Sequence, residues 1–449
     1  MATQSLLAQE LELQVTNNNI ANANTAGYTR ETVNLAESDP VQEGSLSIGT
    51  GVTVDGVQSL SDTLLTMRIQ QQTSDESKAT AQVNALNEVQ TLFPSSGTSV
   101  STAMSAFFTS LSALSTDPSN SADRQTVMSD AQTLVQQFNS VSEGLTGTAS
   151  ILNTTVQTDV TQINQLSSQA ANLNQQLVEQ TPAGQSTGTI SDQLNEVESQ
   201  LASLTNISVI HTAQGDSITT GTGTALVLGN QSYALQTTTG SDGNTAVLDS
   251  NGTDITSTIS SGDLGGSLLV RDSQIPSLLN SLDTLANQFS TAFNAAQAEG
   301  YDENGDAGTA LFSVSSTVAG SAASLFLVTT SGSAIAASSV PGSASSGDDG
   351  NLDNLTALQN SPLASGQSAT TMSSNLTYQI GTLTASAMAE QSALQTSLTA
   401  LNNQQGSVSG VSIDEESANL LRFQEAYQAA AKVVSTIQTL FDTTINMIN

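Results

Sequence analysis

The sequence predicts a multidomain α+β fold: terminal helices form a coiled coil, a mainly helical middle domain lies between them, and a β-rich outer domain is inserted into that middle domain. The C-terminal stretch carries an apolar repeat whose spacing alternates between three and four residues, which is the period of a supercoiling helix. Amphipathic helical patterns fill most of the remaining chain, and short strand patterns interrupt them between residues 206 and 263. Because helical patterns stand on both sides of this insert, the two termini are predicted to lie on the same side of the molecule.

Residues 1–50 are predicted to hold a short helix and a polar loop of the inner coiled-coil domain. Leu7, Leu11 and Val15 supply the apolar face of the helix. The polar stretch Asn19–Arg30 follows it, reads Asn-Ile-Ala-Asn-Ala-Asn-Thr-Ala-Gly-Tyr-Thr-Arg, and is called the asparagine signature below. An apolar helix face at each end of the chain predicts a subunit that is completed by a partner.

Residues 51–205 and 264–411 are predicted to be the two halves of the helical middle domain. Apolar spacing predicts helices over 61–92 and 121–141, which Pro94 and a turn at 118–120 separate. Three further amphipathic stripes follow, and Pro276 opens the third near its first turn. Their apolar residues are Val156, Val160, Ile163, Leu166, Ala170, Leu173 and Leu177, then Leu194, Val197, Leu201 and Leu204, then Ile275, Leu278, Leu282, Leu285, Phe289 and Phe293.

Residues 206–263 are predicted to form the β-rich outer insert. Gly, Asn and Asp clusters separate its short apolar runs, as expected of strands joined by tight turns. A second region, 311–350, is rich in Ser, Ala and Gly, and its apolar run 325–328 is compatible with strands that have loose connections. The strands of the insert are predicted over 207–211, 224–229, 232–236 and 245–249.

Residues 412–449 are predicted to form one helix that pairs as a coiled coil. Ser412 and Glu415 have the spacing of a capping box, and Glu415 and Glu416 suit the positive end of the helix dipole. A core helix inside its own domain gives a similar pattern, but the length of this helix and its place at the end of the chain favour a partner. The seam consists of Leu420, Phe423, Tyr427, Ala430, Val434, Ile437, Phe441, Thr444 and Ile448.

The composition excludes several functions. Forty acidic residues against seven basic ones give the 449-residue chain a formal net charge of −33. So acidic a surface repels phosphate backbones and anionic membranes, and neither a nucleic acid nor a membrane is expected as a partner. The start of the sequence lacks the pattern of a secretory signal peptide. The absence of Cys excludes disulfides and thiolate metal sites.

No group of residues predicts catalysis, a metal or a cofactor. His211 is the only imidazole, stands outside any nucleophile motif, and is interpreted as a surface or edge-strand residue. The acidic run 302–306 resembles the start of a calcium loop, but positions 6 and 12 of such a loop fall on Ala307 and Ser313, so a tight turn is predicted instead. The pair Gly221 and Gly223 lacks the third glycine of a dinucleotide fingerprint. The sequence therefore predicts a protein that is not an enzyme.

Both ends of the chain resemble those of bacterial flagellar axial proteins, and most closely the family of hook-associated protein 1, which forms the hook–filament junction. The asparagine signature is similar to one shared by rod, hook and hook-associated proteins, and the segment Gly410–Ala429 is the most discriminating match. The family's first helix begins further ahead of the signature, so a shortened first helix is expected here. Weaker similarities cover Gly49–Val57 with Asp62, Leu65 and Arg68, then Asp117-Pro118 with Arg124-Gln125, and Gly265–Asp272 with Leu282–Ala286 and Asn294.

The resemblance implies a structural subunit of the extracellular flagellum that joins hook to filament and is needed for filament assembly. It implies export through the flagellar type III channel without a cleaved signal peptide, self-association into a ring, contact with hook protein on one side and the next junction protein on the other, and an export chaperone. The implied subunit-interface residues are Leu7, Leu11, Val15, Asn19, Ile20, Asn22, Asn24, Gly27, Tyr28, Leu420, Phe423, Tyr427, Val434, Ile437 and Phe441.

Two alternative functions stay open at this stage. The nearer is another flagellar axial protein of the hook type. The more distant is an acidic bacterial surface adhesin, which the richness in Ser, Thr and Gly suggests. An adhesin has no need of helical apolar seams at both ends of its chain.

Overall fold

The computed structural model describes residues 2–25, 27–43, 46–94, 99–180, 187–345 and 347–448. Ala26 of the asparagine signature and Asn449 of the predicted C-terminal helix lie outside the described residues. The described helices are α1 Ala2–Asn22, α2 Thr63–Thr91, α3 Val100–Leu114, α4 Ser121–Gln180, α5 Gly188–Leu204, α6 Gly262–Leu269, α7 Ile275–Ala298, α8 Leu352–Ala357, α9 Ala369–Ser409 and α10 Ile413–Ile448. The strands are β1 Glu31–Glu37, β2 Val41–Glu43, β3 Leu46–Ile48, β4 Val52–Ser59, β5 Ile207–Thr212, β6 Gly215–Thr220, β7 Ala225–Leu228, β8 Gln231–Ser232, β9 Gln236–Thr239 and β10 Thr245–Leu248.

The predicted α+β architecture with paired terminal helices is confirmed. Helices α1 and α10 pack against each other and form what we call the terminal rod. A hairpin of β1 and β4 follows α1, and α2 then runs alongside α9 in the helical body. Because α9 returns the chain to the rod, both ends of the sequence meet there, as the order of the patterns predicted.

The helical body has a core built around phenylalanine rings. Rings 5.3 to 6.1 Å apart at tilted or edge-on angles link α3, α7 and the segment after α7. Each ring is at most 2% exposed, so together they bury a large apolar area. The five rings are those of Phe107, Phe108, Phe289, Phe293 and Phe312.

Helix α4 runs through two cores. The sequence patterns had predicted a helix over 121–141 and a separate one along the stripe from Val156 to Leu177, where the structure has a single helix. It is 60 residues long, which corresponds to roughly 90 Å. Its buried residues from Val127 to Leu152 belong to the core of the helical body. Those from Val156 to Leu173 belong to a second core with α5, α6 and the strands β5, β6, β7 and β10. We call this second core, together with β8 and β9, the outer β domain. The chain therefore inserts no flexible linker between these cores along α4.

The outer β domain contains a four-stranded antiparallel sheet in the order β5-β6-β7-β8, beside a hairpin of β9 and β10. Val209 lies opposite Ile218, which lies opposite Val227 on the next strand, and these three residues are buried. The predicted strands at 207–211, 224–229 and 245–249 are confirmed as β5, β7 and β10. The prediction at 232–236 is wrong over most of its length, because β8 ends at Ser232 and β9 begins at Gln236.

Residues 301–345 wrap the helical body with little regular structure. Three isolated bridges, Tyr301 with Ala307, Tyr301 with Ser338 and Phe312 with Leu327, stand in place of the strands that the apolar runs suggested. Helix side chains satisfy the backbone of this segment. Arg124, 1% exposed, donates from Nε to the Pro118 carbonyl at 2.7 Å and from Nη1 to the Ile335 carbonyl at 2.9 Å. Among the described helices, none is long and apolar enough to cross a membrane.

Replacement of Arg124 with Met is expected to destabilise the helical body. The variant leaves buried carbonyl oxygens without a donor, which costs about 3 kcal/mol for hydrogen bonds of a charged group. Thermal unfolding followed by circular dichroism measures the loss. The matched control is Arg68→Met, because Arg68 is exposed. Equal unfolding temperatures for the two variants would contradict the role assigned to Arg124.

A buried carboxyl pair predicts that stability falls as pH rises. Glu198 is 1% exposed and accepts a hydrogen bond from Gln70 Nε2 at 3.1 Å. Burial, with the adjacent carboxylate of Asp216, raises the pKa of Glu198 to about 8. Because the pKa of Glu198 is higher in the folded state, the stability that its protonated carboxyl contributes is fully present below the ordinary pKa near 4.5. That contribution is lost as pH rises through about 8.

Urea unfolding between pH 5 and 9 tests this dependence. The midpoint is expected to fall with rising pH in the native chain, and Glu198→Gln should flatten the decline because an amide does not titrate. Glu196→Gln on the same helix is the control, since Glu196 is exposed. A decline of the same steepness in both variants would rule out Glu198 as its source.

Candidate functional site

The two terminal helices run antiparallel, and α10 extends beyond α1. Asn19 of α1 hydrogen-bonds Glu416 near the start of α10, whereas Glu12, earlier in α1, lies in the field of Arg422, later in α10. Continuing this opposite progression brings the start of α1 beside Val434 of α10. The residues of α10 after Val434 are exposed as far as Met447. Roughly 20 Å of helix therefore projects past α1 in the described chain.

The predicted seam residues of α10 change from half-buried to exposed after Val434. Leu420, Phe423, Tyr427 and Val434 are half-buried, as is Leu11, and Val15 of α1 is buried at 8% exposure. Three other predicted residues stand outside the contact between α1 and α10, because their side chains are 60%, 43% and 66% exposed: Leu7, Ile437 and Phe441.

Asn19 is the centre of the asparagine signature. It lies on the last turns of α1 and is 1% exposed. Its Nδ2 donates to the Glu31 carbonyl at 2.9 Å and to Glu416 Oε2 at 3.2 Å, and its Oδ1 accepts from the Tyr28 hydroxyl at 2.8 Å and from the Glu31 N–H at 3.0 Å. One amide thus binds α1, the signature loop, β1 and α10 together, and all four of its hydrogen-bonding positions are used.

Arg30 closes the signature with two ion pairs to α10. Its Nη1 lies 3.1 Å from Glu415 Oε2 and its Nη2 lies 2.7 Å from Glu416 Oε1. The backbone of Arg30 also donates to the carbonyl of Ser409, the last residue of α9. Glu416 is 2% exposed, so it depends on Arg30 and Asn19 for compensation of its buried charge.

Tyr28 and Gly27 position the loop between α1 and β1. Burial, then the charges of Glu31, Asp192 and Glu416, raise the pKa of Tyr28, so its hydroxyl remains a donor to Asn19. Gly27 has φ of +78°, a backbone conformation that side-chain-bearing residues rarely adopt.

The remaining signature residues contribute locally. Asn22 accepts from the Thr25 hydroxyl at 3.2 Å and donates to the Asn18 carbonyl at 3.1 Å, which shapes the turn after α1. Ile20 is half-buried, and Asn24 is exposed.

Sequence reasoning did not single out Arg30, Glu31 or Glu416 as site residues. Glu415 and Glu416 were interpreted as helix-start residues, and that interpretation is incomplete because both also pair with Arg30. The available clue was the charge balance: a chain with seven basic residues places one of them at the end of the asparagine signature.

The other candidate sites have structural explanations. His211 is on β5, and its Nδ1 lies 2.7 Å from Asp216 Oδ1 on β6. In the run 302–306, Asp302 Oδ1 accepts from the N–H groups of Asn304 and Asp306, which confirms a turn. Within the described ranges, no cluster of three or more His, Asp or Glu residues has metal-site geometry.

A polar cleft of about 160 Å³ lies where the signature loop meets α2, α5 and α9. Asp62 in its wall caps α2 by accepting from the Leu65 N–H at 3.1 Å. Asp192 accepts from the Thr29 N–H at 3.1 Å, and burial raises its pKa. The carboxylates of this cleft therefore hold helix and loop backbone in place.

Comparisons with known proteins point to one family. A family model described as the helical domain of flagellar hook-associated protein FlgK matches residues 86–312. Residues 404–447 match a model of the C-terminal region of flagellar basal body rod FlgEFG proteins. Flagellar hook-associated protein 1 of Escherichia coli (strain K12) is 28% identical to the chain, over 99% of this chain and 98% of that protein. The protein of the same name from Bacillus subtilis (strain 168) is 28% identical over 99% and 97%.

A solved structure shares the fold. The flagellar hook junction protein FlgK from Burkholderia pseudomallei superposes with a TM-score of 0.68 at 17% identity, covering 76% of this chain and 100% of that one. The likeness supports the arrangement of long helices and a smaller β region described above.

Replacement of Asn19 with Asp is expected to loosen the junction between the terminal helices. The variant keeps an acceptor for Tyr28, loses both Nδ2 donors and places a second carboxylate beside buried Glu416. The expected cost is about 2 kcal/mol or more, seen as faster limited proteolysis after Arg30. Asn24→Asp makes the same change at an exposed signature residue and is expected to leave the proteolysis rate unchanged. Equal rates for the two variants would contradict the central place of Asn19.

Proposed function

Because the chain belongs to the family of flagellar hook-associated protein FlgK, we propose that it is a structural subunit of the bacterial flagellum that joins the hook to the filament and is needed for filament assembly. The observation that carries this proposal is the terminal rod. Asn19 and Arg30 lock α1 to α10, and the seam of α10 then continues, exposed, past the start of α1.

The exposed end of α10 is the surface that assembly would cover. Its large apolar side chains include Ile437, Leu440, Phe441, Ile445 and Met447, each at least 43% exposed. Apolar surface of this kind is stabilised when neighbouring subunits remove it from water. The interface residues predicted from the sequence are therefore proposed to act at two levels: Val15, Asn19, Tyr28, Leu420 and Phe423 within one subunit, and Leu7, Ile437 and Phe441 between subunits.

The partners follow from the family and are axial components of the flagellum. We further propose that the protein self-associates into a ring and binds an export chaperone. In the flagellum it would contact hook protein on one side and the next junction protein on the other. An extracellular place in the flagellum belongs to the family, and export without a cleaved signal peptide is again proposed. The intact mass of the protein in isolated flagella would test that last point.

The structural role accounts for the site without catalysis. The amide of Asn19, the hydroxyl of Tyr28 and the two Nη groups of Arg30 are all engaged with backbone groups or with neighbouring side chains, which makes a rigid joint. A hook-type axial protein is not favoured, because the helical-domain match over 86–312 is to the FlgK family. The adhesin alternative offers no reason for the terminal rod.

Charge introduced into the exposed seam is expected to abolish filament formation. Ile437→Glu with Phe441→Glu places two carboxylates where apolar contact between subunits is proposed, and burying them would cost several kcal/mol. Complementation of cells that lack their own copy, scored by motility and by electron microscopy of filaments, measures the effect. Normal filaments with this variant would overturn the proposed role of the seam.

The matched control is Thr439→Glu, on the opposite face of the same helix. Thr439 is exposed and donates its hydroxyl to the Ser435 carbonyl, so a change there leaves the apolar seam intact. It is expected to support filaments. Circular dichroism of both purified variants separates loss of assembly from loss of helix.

A further inference from the structure

The segment between the asparagine signature and α2 forms a long two-stranded ribbon. β1 pairs antiparallel with β4 from Glu31 opposite Ser59 to Glu37 opposite Val52, and β2 pairs with β3 beyond them. The base of this ribbon is held by the hydrogen bonds between Asn19 and Glu31. We call residues 31–59 the hairpin.

The outer part of the hairpin is poorly covered. Leu35 and Val54, neighbours across the ribbon, are 36% and 39% exposed. A two-stranded ribbon is only marginally stable in water unless another surface packs on it, and its free edges offer unpaired backbone N–H and C=O groups. The hairpin thus has the properties of a segment that is completed by a partner.

The charge of the hairpin restricts the chemistry of that partner. Its acidic residues include Glu37, Asp39 and Asp55, whose side chains are exposed, and residues 31–59 contain neither Lys nor Arg. A surface that receives the hairpin must therefore supply positive charge.

A groove at the base of the same hairpin carries an exposed arginine on its rim. The groove has a volume of about 370 Å³ and lies between α1, α10 and β1. Arg422 on its rim is exposed, stands 4.9 Å from the ring centroid of Phe423, and lies within 4 Å of no carboxylate in the described chain. The other lining residues are Glu12, Val15, Thr16, Arg30, Glu31, Thr32, Val33, Glu416 and Asn419.

Three carboxylates also line the groove, and each lies near a hydrogen-bond donor or a cation of the same chain. Glu416 is compensated by Arg30 and Asn19. Burial raises the pKa of Glu12, and the nearby charge of Arg422 opposes that rise. Glu31 Oε2 accepts a hydrogen bond from Asn18 Nδ2 at 3.4 Å. Glu12 Oε2 and Arg30 Nε are buried without a hydrogen-bond partner in the described chain, and a strand edge offers groups for both.

We propose that the hairpin of one copy of this chain lies in the α1/α10 groove of the next copy, with Glu37 and Asp39 paired to Arg422. A hairpin does not fold back into its own groove, because Thr32 and Val33 at its base form the wall and Asp39 lies roughly 25 Å further along the strand. The contact is heterologous, joining two different surfaces, and such contacts close into rings or continue as helical stacks. The inference rests on the proposed function and specifies how copies of the subunit meet.

Disulfide trapping tests the contact directly, because the native chain contains no Cys. The variant Asp39→Cys with Asn419→Cys places one thiol on the hairpin and one in the groove. Intermolecular disulfides need Cα atoms within about 7 Å, so oxidised hook–filament structures are expected to give a ladder of linked subunits on a non-reducing gel. The control Asp39→Cys with Arg68→Cys, which uses an exposed position on α2, is expected to remain monomeric.

Charge exchange supplies a second readout. Arg422→Glu is expected to lower filament number in complemented cells, and Glu37→Lys combined with Arg422→Glu is expected to restore it in part. Arg68→Glu, an equal change of charge outside the groove, is expected to leave filaments unchanged. Failure of the exchange to restore filaments, with Arg68→Glu as damaging as Arg422→Glu, would assign the loss to net charge and overturn the pairing.

The outcomes separate this inference from the proposed function. Normal filaments without a specific disulfide ladder would overturn the hairpin contact and leave the junction role intact. If the native chain, which has no Cys, does not restore filaments to cells that lack the family protein, the proposed function itself is wrong. The same oxidation is performed on purified protein at high concentration, so a double-cysteine variant that fails in cells still gives a result, and an absence of linked dimers there counts against the proposal.

Discussion

The structure depends on one buried amide. Asn19 connects α1, the signature loop, β1 and α10 through four hydrogen bonds, and it does so where the first and last helices of the chain meet. A buried amide satisfied on every side tolerates little displacement, since each lost partner leaves a desolvated polar group. The relative position of the terminal helices, and therefore the direction in which α10 projects, is fixed by this residue together with Arg30.

Three of the few arginines, Arg30, Arg124 and Arg271, join separate segments of the chain. Arg124 and Arg271 are buried and bind carbonyl oxygens of irregular or β segments: Arg124 holds the 301–345 wrap to α4, and Arg271 holds the Thr245 carbonyl at 2.8 Å. A guanidinium presents five donors in a fixed plane, which suits a junction where several carbonyls converge. Arg30 instead pairs with the carboxylates of Glu415 and Glu416 and so holds the signature loop to α10. In a chain with a net charge of −33, these arginines serve as fixed joints between segments.

Periodicity predicted the elements whose apolar residues face one core. Helix α7 matches its predicted stripe, and β5, β7 and β10 follow the short apolar runs. Helix α10 has its predicted length, but its stripe is exposed beyond Val434. Strand β6 escaped prediction because Gly215–Thr220 is mostly polar, and its burial comes from neighbouring strands.

The elements that sequence reasoning missed depend on distant contacts. Helix α9 was missed because its sequence is a mixture of Ser, Thr, Ala and Gln with few large apolar residues, and it is held by packing on α2. No local sequence pattern reveals the hydrogen-bond partners of Asn19, because Glu416 lies 397 residues away in the sequence. The sequence identified the asparagine signature by resemblance, while its hydrogen bonds follow from the fold alone.

Exposed apolar surface, and not a lower charge, distinguishes the terminal rod from the rest of this acidic chain. Residues 2–31 and 409–448 contain eight acidic and three basic residues, whereas residues 32–408 contain 32 acidic and four basic ones. Two of those four, Arg124 and Arg271, are buried within the body. One net negative charge falls on about 14 residues of the rod segments and on about 13 residues of the rest of the chain, so the rod is no less acidic than the body. Its exposed apolar side chains distinguish it. Burying them between copies would favour assembly, and salt would weaken the repulsion between the carboxylates. Arg422 and Lys432 on α10 offset part of the charge of the five carboxylates of that helix, so acidic residues are not the only charged groups beside its exposed apolar seam.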